Sequence, residues 1–217
     1  MLRVVLSIAA LCLIGVTADA TVNKVASRQC LSQNYNNTIY DYTVPDIHEK
    51  ENISLSKYKG KVVLIVNVAT YCSFTEHYNG LNELQTKFQK DLVILGFPCN
   101  QFLLQEPGTG AEEILNGVKH IRPGKGFEPN FPMFTKIDVN GEKEIPLYTY
   151  LKLHCPATRD GYTNKANLFY EPIRNWDLRW NWEKFLIDRT GRPYKRYDAS
   201  TEPKAITNDI EELVKKI

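Results

Sequence analysis

The stretch Lys61-Val62-Val63-Leu64-Ile65-Val66-Asn67-Val68-Ala69-Thr70-Tyr71-Cys72 decides the fold. Its apolar, β-branched run shows no polar alternation, so it suits a strand covered on both faces. Leu92-Val93-Ile94-Leu95-Gly96-Phe97 repeats the pattern. Between the two runs, Tyr78, Leu81, Leu84, Gln85 and Phe88 recur at helical spacing. Ser73 or Thr75 is placed to cap the helix start, and Glu76 suits its first turn. A strand, a crossover helix and a second strand make a parallel, right-handed unit. Cys72 then sits in the loop at the carboxyl end of the first strand, where ligand chemistry collects in open α/β sheets.

Outward from this unit, residues 38–44 and 52–55 read as short strands of an N-terminal hairpin. Residues 112–118 suit a helix, 131–139 a strand ending at the Asn140-Gly141 turn, and 147–153 a helix with Pro146 near its start. Residues 185–187 and 194–197 flank a turn at 188–193 and read as a hairpin. Ile206, Ile210, Leu213, Val214 and Ile217 line one face of a terminal helix. No internal repeat, low-complexity tract or linker divides the chain, so residues 21–217 are expected to form one domain.

Residues 1–20 stand apart. Arg3 precedes an apolar run from Val4 to Val16, and Ala18-Asp19-Ala20 has the small-x-small pattern of signal peptidase cleavage. The run is shorter than the roughly 20 residues that cross a bilayer, so a removed signal peptide and a secreted, extracellular protein are expected, with no membrane span. The sequons at Asn36 and Asn52 fit glycosylation on that route. A net charge of +2 with dispersed basic residues gives no footprint for a nucleic-acid partner. Of the five cysteines, Cys12 leaves with the signal. Cys30, Cys72, Cys99 and Cys155 contain no Cys-x-x-Cys pair or neighbouring His, so no metal is expected.

The position of Cys72 favours a thiolate, because helix amide donors and the positive end of the dipole face it. A cysteine merely packed at a strand end fits the same pattern. Four blocks separate the two: Asn67-Val68-Ala69-Thr70-Tyr71-Cys72, Leu95-Gly96-Phe97-Pro98-Cys99-Asn100-Gln101-Phe102, Gln105-Glu106-Pro107-Gly108 and Trp180-Asn181-Trp182-Glu183-Lys184-Phe185-Leu186. Together, and in this order, they resemble the glutathione peroxidase family. The resemblance runs from about residue 39 to 197.

It implies an α/β, thioredoxin-like fold: a central mixed sheet flanked by helices, with an N-terminal hairpin. It implies a peroxidatic Cys72 surrounded by Gln105, Trp180 and Asn181, and no cofactor. Side-chain amides and an indole N–H are uncharged donors suited to a thiolate and to the oxyanion leaving a cleaved O–O bond. Hydrogen peroxide or an organic or lipid hydroperoxide would oxidise Cys72 to a sulfenic acid, and glutathione or another thiol would restore it. A thiol relay to a partner protein, or an extracellular matrix or surface protein with residual redox activity, are the alternative readings.

Within the resemblance, Gln101 is expected to support its loop, Cys99 to pack, and His77 to be a solvated helix residue. Ser73 replaces a glycine after the reactive residue, and Leu103-Leu104 replace a Gly-containing pair, making the site more apolar. The segment 112–121 carries no resolving cysteine, and 122–131 resembles an extra loop of tetrameric members, so a one-cysteine cycle and a homotetramer are implied. Arg122 matches a glutathione-binding residue. The other basic matches are absent, since Glu76-His77 stand where cytosolic members have an arginine and 197–200 lack paired arginines. Little saturation by glutathione is therefore expected. Cys30 and Cys155 fall outside the blocks: a disulfide between them, disulfides between subunits, and free thiols all fit.

Overall fold

The computed structural model describes residues 24–31, 37–162 and 164–216. The expected signal peptide at 1–20 and the sequon residue Asn36 lie outside them. The strand read from the quoted stretch is β4, Val62–Val68, and its partner β5, Leu92–Pro98; every residue of both is buried. They run parallel in register from Val62 opposite Leu92 to Val68 opposite Pro98. The sheet is completed by β1 (Ser27–Gln29), β6 (Lys184–Ile187) and β7 (Pro193–Tyr197) in the order β1-β7-β6-β4-β5, with all the other pairings antiparallel. The short strands β2 (Thr43–Pro45) and β3 (Asn52–Ser54) form a separate antiparallel hairpin.

Strand period places alternate side chains of β4 on opposite faces. Val63 and Ile65 enter one core layer with Leu147, Tyr148 and Leu151 of α3 (Pro146–His154). Val62, Leu64, Val66 and Val68 enter the other, under α1 (His77–Lys87) and α4 (Thr207–Lys215). The continuous apolar run is thus explained by helices on both sides. The fold is thioredoxin-like, as expected.

Four local expectations are corrected. Residues 39–41 form a 3-10 turn rather than strand, because Thr38 and Asp41 make a capping box: Tyr40 N–H donates to Thr38 Oγ1 at 3.2 Å and Thr38 N–H to Asp41 Oδ2 at 2.8 Å. The segment 131–139 makes only isolated bridges, Met133 parallel to Gly96 along the free edge of β5 and Phe134 antiparallel to Asp46. Met133 Sδ would lie 2.5 Å from a Cβ at position 96, so the approach needs glycine there. The second expected helix is α2 (Ala111–Asn116), followed by a π-turn over Gly117–Ile121.

The fourth concerns the start of α1. Neither Ser73 nor Thr75 caps it: the Thr75 hydroxyl lies within 2.8 to 3.0 Å of the carbonyls of Ala69, Thr70 and Cys72. Turned inward, it ties off the loop that follows β4, where the chain bends at Cys72 and residues 73–76 are successive turns. The helix therefore begins beyond Cys72, at His77.

Cys30 and Cys155 form a disulfide, linking the segment after β1 to the end of α3 across 125 residues. Of the three alternatives left by the sequence, the intrachain bridge holds. Loop-closure entropy for a loop of this length sets an upper value of about 5 kcal/mol through the unfolded state, and disulfides typically deliver less. Replacing both cysteines by alanine should lower stability by about 2 to 4 kcal/mol in denaturant titration. An unchanged midpoint would show that the bridge constrains nothing.

Candidate active site

Cys72 is fully buried at the end of the β4 loop. Its neighbour Tyr71 donates its N–H to the Gln105 carbonyl at 2.9 Å, so the Cys72 loop and the Gln105 loop are joined by backbone. Asn67, inside β4, provides the second junction. Its side-chain amide donates to the Trp180 carbonyl at 3.1 Å, and its own carbonyl accepts the Trp182 N–H at 2.7 Å. These bonds span Trp180-Asn181 and hold Trp182 at a φ of 73°, a left-handed conformation that a bulky residue adopts only when its surroundings impose it.

Asn181 is buried and its Nδ2 donates to Gln105 Oε1 at 2.9 Å. This bond fixes which end of the Gln105 amide is acceptor and leaves the Nε2 hydrogens as donors for another group. Trp180 is half-buried, packs against Phe102 at 5.9 Å between ring centroids and reaches the core layer that contains Cys72. The four residues expected to act together, Cys72, Gln105, Trp180 and Asn181, thus lie on loops joined to one another.

The supporting residues match their expected places. Gln101 is buried, accepts the N–H groups of Val139 and Asn140 at 3.0 Å each and donates to the Asn140 carbonyl at 2.8 Å. Cys99 contacts Gln101 and lies in the other core layer from Cys72; burial pushes its thiol up to about 12. It is a packing residue on the far side of the sheet.

The glutathione peroxidase profile matches residues 39–152. The chain belongs to the glutathione peroxidase family. The epididymal secretory glutathione peroxidase of Rattus norvegicus is 49% identical over 174 residues, covering 80% of this chain and 78% of the relative. Glutathione peroxidase 3 of Caenorhabditis elegans is 40% identical over 215 residues, covering 96% and 94%. The crystal structure of T. cruzi GPX1 superposes with a TM-score of 0.60 at 28% identity, covering 82% of this chain and 97% of that one. The protein is an enzyme, a thiol-dependent peroxidase.

Two neighbouring features were not legible in the sequence. A cavity of about 290 Å³ opens beside Trp180 and is lined by Phe74, Tyr162, Leu168, Arg159 and Arg179. Arg179 stacks on Tyr162 at 4.3 Å and donates to the carbonyls of Asp177, Asn175 and Arg159; Arg159 is bound through two nitrogens to Asp198. Arg122, the expected glutathione contact, is exposed after the π-turn and does not line this cavity. The second feature corrects an expectation: His77 is buried rather than solvated, between Phe74 and Trp182 and in contact with Lys184.

Glu106 shapes the loop from beneath. Its Oε2 accepts both the N–H and the hydroxyl of Thr70 at 2.8 Å, and burial, opposed by those bonds, raises its carboxyl from 4.5 to about 7. The folded state therefore binds this proton more tightly than the unfolded state. Its contribution is fully present below pH 4.5 and is lost as the pH rises through about 7. Glu106→Gln keeps an acceptor for Thr70 and removes the titration, so at pH 8 it should gain on the wild type by about 1 to 2 kcal/mol relative to their difference at pH 4.5. Parallel stability curves for the two proteins would show that Glu106 titrates normally.

Proposed function

We propose that Cys72 is the peroxidatic thiol of a secreted peroxidase working by a one-cysteine cycle. The Cys72 thiolate attacks one peroxide oxygen, the O–O bond breaks, and water or an alcohol leaves with a proton while sulfur is oxidised to the sulfenic acid. A first external thiol condenses with it, releasing water and forming a mixed disulfide. A second thiol exchanges into that bond, leaving as the oxidised disulfide and returning Cys72. The observation that carries this reading is the Asn181 to Gln105 hydrogen bond, which leaves the Gln105 amide donors uncommitted beside the Cys72 loop.

The apolar side chains of Tyr71, Leu103, Leu104 and Phe169 are exposed around these loops, and Leu103 and Leu104 both hold positive φ. An apolar rim supports organic and lipid hydroperoxides as substrates beside hydrogen peroxide. Glutathione or another small thiol is the reductant. Arg159 and Arg179 supply positive charge beside Trp180, but their donors are largely used internally, so attraction of an anionic thiol is not reinforced by a free bidentate fork. Arg122 remains a proposed contact for glutathione carboxylates. Relatives named as secretory support an extracellular location with a cleaved segment at 1–20. Asn52 is exposed on β3, accessible for glycosylation, and Asn36 is proposed with it. The loop 122–131, which Asn82 and Lys119 pin through Glu128, is the proposed element of a homotetramer.

Peroxide treatment followed by a dimedone-type trap should label Cys72 before any other cysteine, and Cys72→Ser should abolish turnover; preferential labelling of Cys99 would overturn the assignment. Gln105→Ala and Asn181→Ala should each lower the oxidation rate about 100-fold in stopped-flow, the usual cost of removing a donor at a developing oxyanion.

The reductant prediction is separate. Turnover should rise almost linearly with glutathione, and its advantage over an uncharged thiol such as 2-mercaptoethanol should shrink with added salt. Tight, salt-insensitive saturation would instead require a built carboxylate site.

A further inference from the structure

The cavity beside Trp180 is built from extensions of the loops that carry the site. Phe74, on one wall, belongs to the turns that follow Cys72, and Phe74 and Trp180 both pack against the core layer that contains Cys72. Leu168, on another wall, is bridged to Phe102 at the start of the Gln105 loop, where the Leu103 N–H donates to the Asn167 carbonyl at 2.7 Å. The Cys72 loop, the Gln105 loop and the Trp180 segment therefore each supply or fasten a wall. Of the four site residues only Trp180 lines the cavity, so the space lies beside the reaction centre rather than at it.

Its surface is that of an apolar compartment. Among the described residues, Phe74, Tyr162, Leu168 and Trp180 offer it aromatic and aliphatic faces, and the polar groups around them are already engaged. The Tyr162 hydroxyl donates to the Arg174 carbonyl at 2.6 Å and accepts from Arg179 Nη1 at 3.1 Å. Arg179 gives its other bonds to carbonyls, Arg159 gives Nε and Nη2 to Asp198, and Asn164 Oδ1 accepts the Ala166 N–H at 3.0 Å. An anionic ligand meets no free bidentate fork there, whereas an apolar group loses its water without breaking a hydrogen bond.

Size points the same way. At about 290 Å³ the cavity exceeds the roughly 150 Å³ that holds a benzene ring. One ring with an alkyl branch fits, and hydrogen peroxide leaves most of the space empty.

We propose that this cavity is the subsite for the organic substituent of the hydroperoxide, taking an aryl or branched alkyl group while the peroxide oxygens reach Cys72, with Phe74, Tyr162 and Leu168 as its specificity-determining residues. The inference rests on Cys72 being the peroxidatic thiol and on organic hydroperoxides being substrates, and it adds where the substituent binds. The exposed rim of Tyr71, Leu103, Leu104 and Phe169 meets an apolar molecule; the cavity selects its shape. The covalent step is the one already given, with the O–O bond breaking at sulfur and the substituent departing as its alcohol.

The test separates the two half-reactions in stopped-flow. Leu168→Trp fills the cavity, and its oxidation rate constant with cumene hydroperoxide should fall about tenfold relative to that with hydrogen peroxide, the scale on which a pocket discriminates by size. Reduction by glutathione should change less than oxidation by cumene hydroperoxide. An unchanged ratio between the two peroxides, or an equal loss toward both, overturns the proposal, and so does a loss concentrated in reduction by glutathione, which would give the cavity to the reductant. If Leu168→Trp fails to fold, the wild type decides: cumyl alcohol should compete with cumene hydroperoxide far better than tert-butanol does, and equal or absent competition overturns the subsite. Hydrogen peroxide keeps the two readings apart, because its continued consumption by Cys72→Ser would sink the peroxidatic assignment, whereas the peroxide ratio in Leu168→Trp judges the cavity alone.

Discussion

Burial of β4 on both faces is the constraint on which the remaining architecture depends. A strand with no exposed residue must be roofed on each side, and the alternate residues of β4 accordingly enter two separate core layers, one under α3 and one under α1 and α4. Its backbone must also be paired along both edges, by β5 in parallel and β6 in antiparallel fashion. Only the carboxyl end is free to leave the sheet. The chain therefore turns out there, into the loop where Cys72 sits, and the Thr75 hydroxyl secures that turn against three carbonyls.

Asn67 converts this strand into an organiser of the site. A polar residue in the middle of an apolar strand needs partners, and its amide and carbonyl take them from Trp180 and Trp182. One side-chain bond and one backbone bond thus tie a segment more than a hundred residues away to the mouth of β4. Asn181 is carried between the two anchors and reaches Gln105. The Gln105 loop is itself fastened to Tyr71 by backbone, so each functional group is held by something other than the chemistry it is proposed to perform.

The layer division also separates the cysteines by role. Cys72 and Cys99 follow adjacent parallel strands, yet they fall in different core layers, with Cys99 in contact with Gln101. Cys30 and Cys155 are joined to one another. A charged layer lies behind the site: Arg196 with Glu183, Arg159 with Asp198, and Lys184 with neutral acceptors. The first two are buried pairs that compensate their own desolvation. Lys184 contacts no carboxylate among the described residues; its three partners are neutral.

The sequence by itself determined the parallel unit around Cys72, because a long apolar, β-branched run has few other solutions. It also determined the family, since four ordered blocks are read directly as residues. It did not determine where short polar segments turn: 39–41 obeyed a capping box instead of strand alternation, and 131–139 followed a glycine edge without joining the sheet. Lys184 was legible only as a member of the fourth family block. Its partners were not, for His77, Ala199 and Thr201 meet only after α1 and the chain beyond β7 pack on one face of the sheet. The cavity beside Trp180 and the burial of His77 were likewise decided by tertiary structure. Local pattern reports what a residue prefers next to its neighbours in sequence, whereas a buried charge or a cavity is a property of elements that pack together from distant parts of the chain.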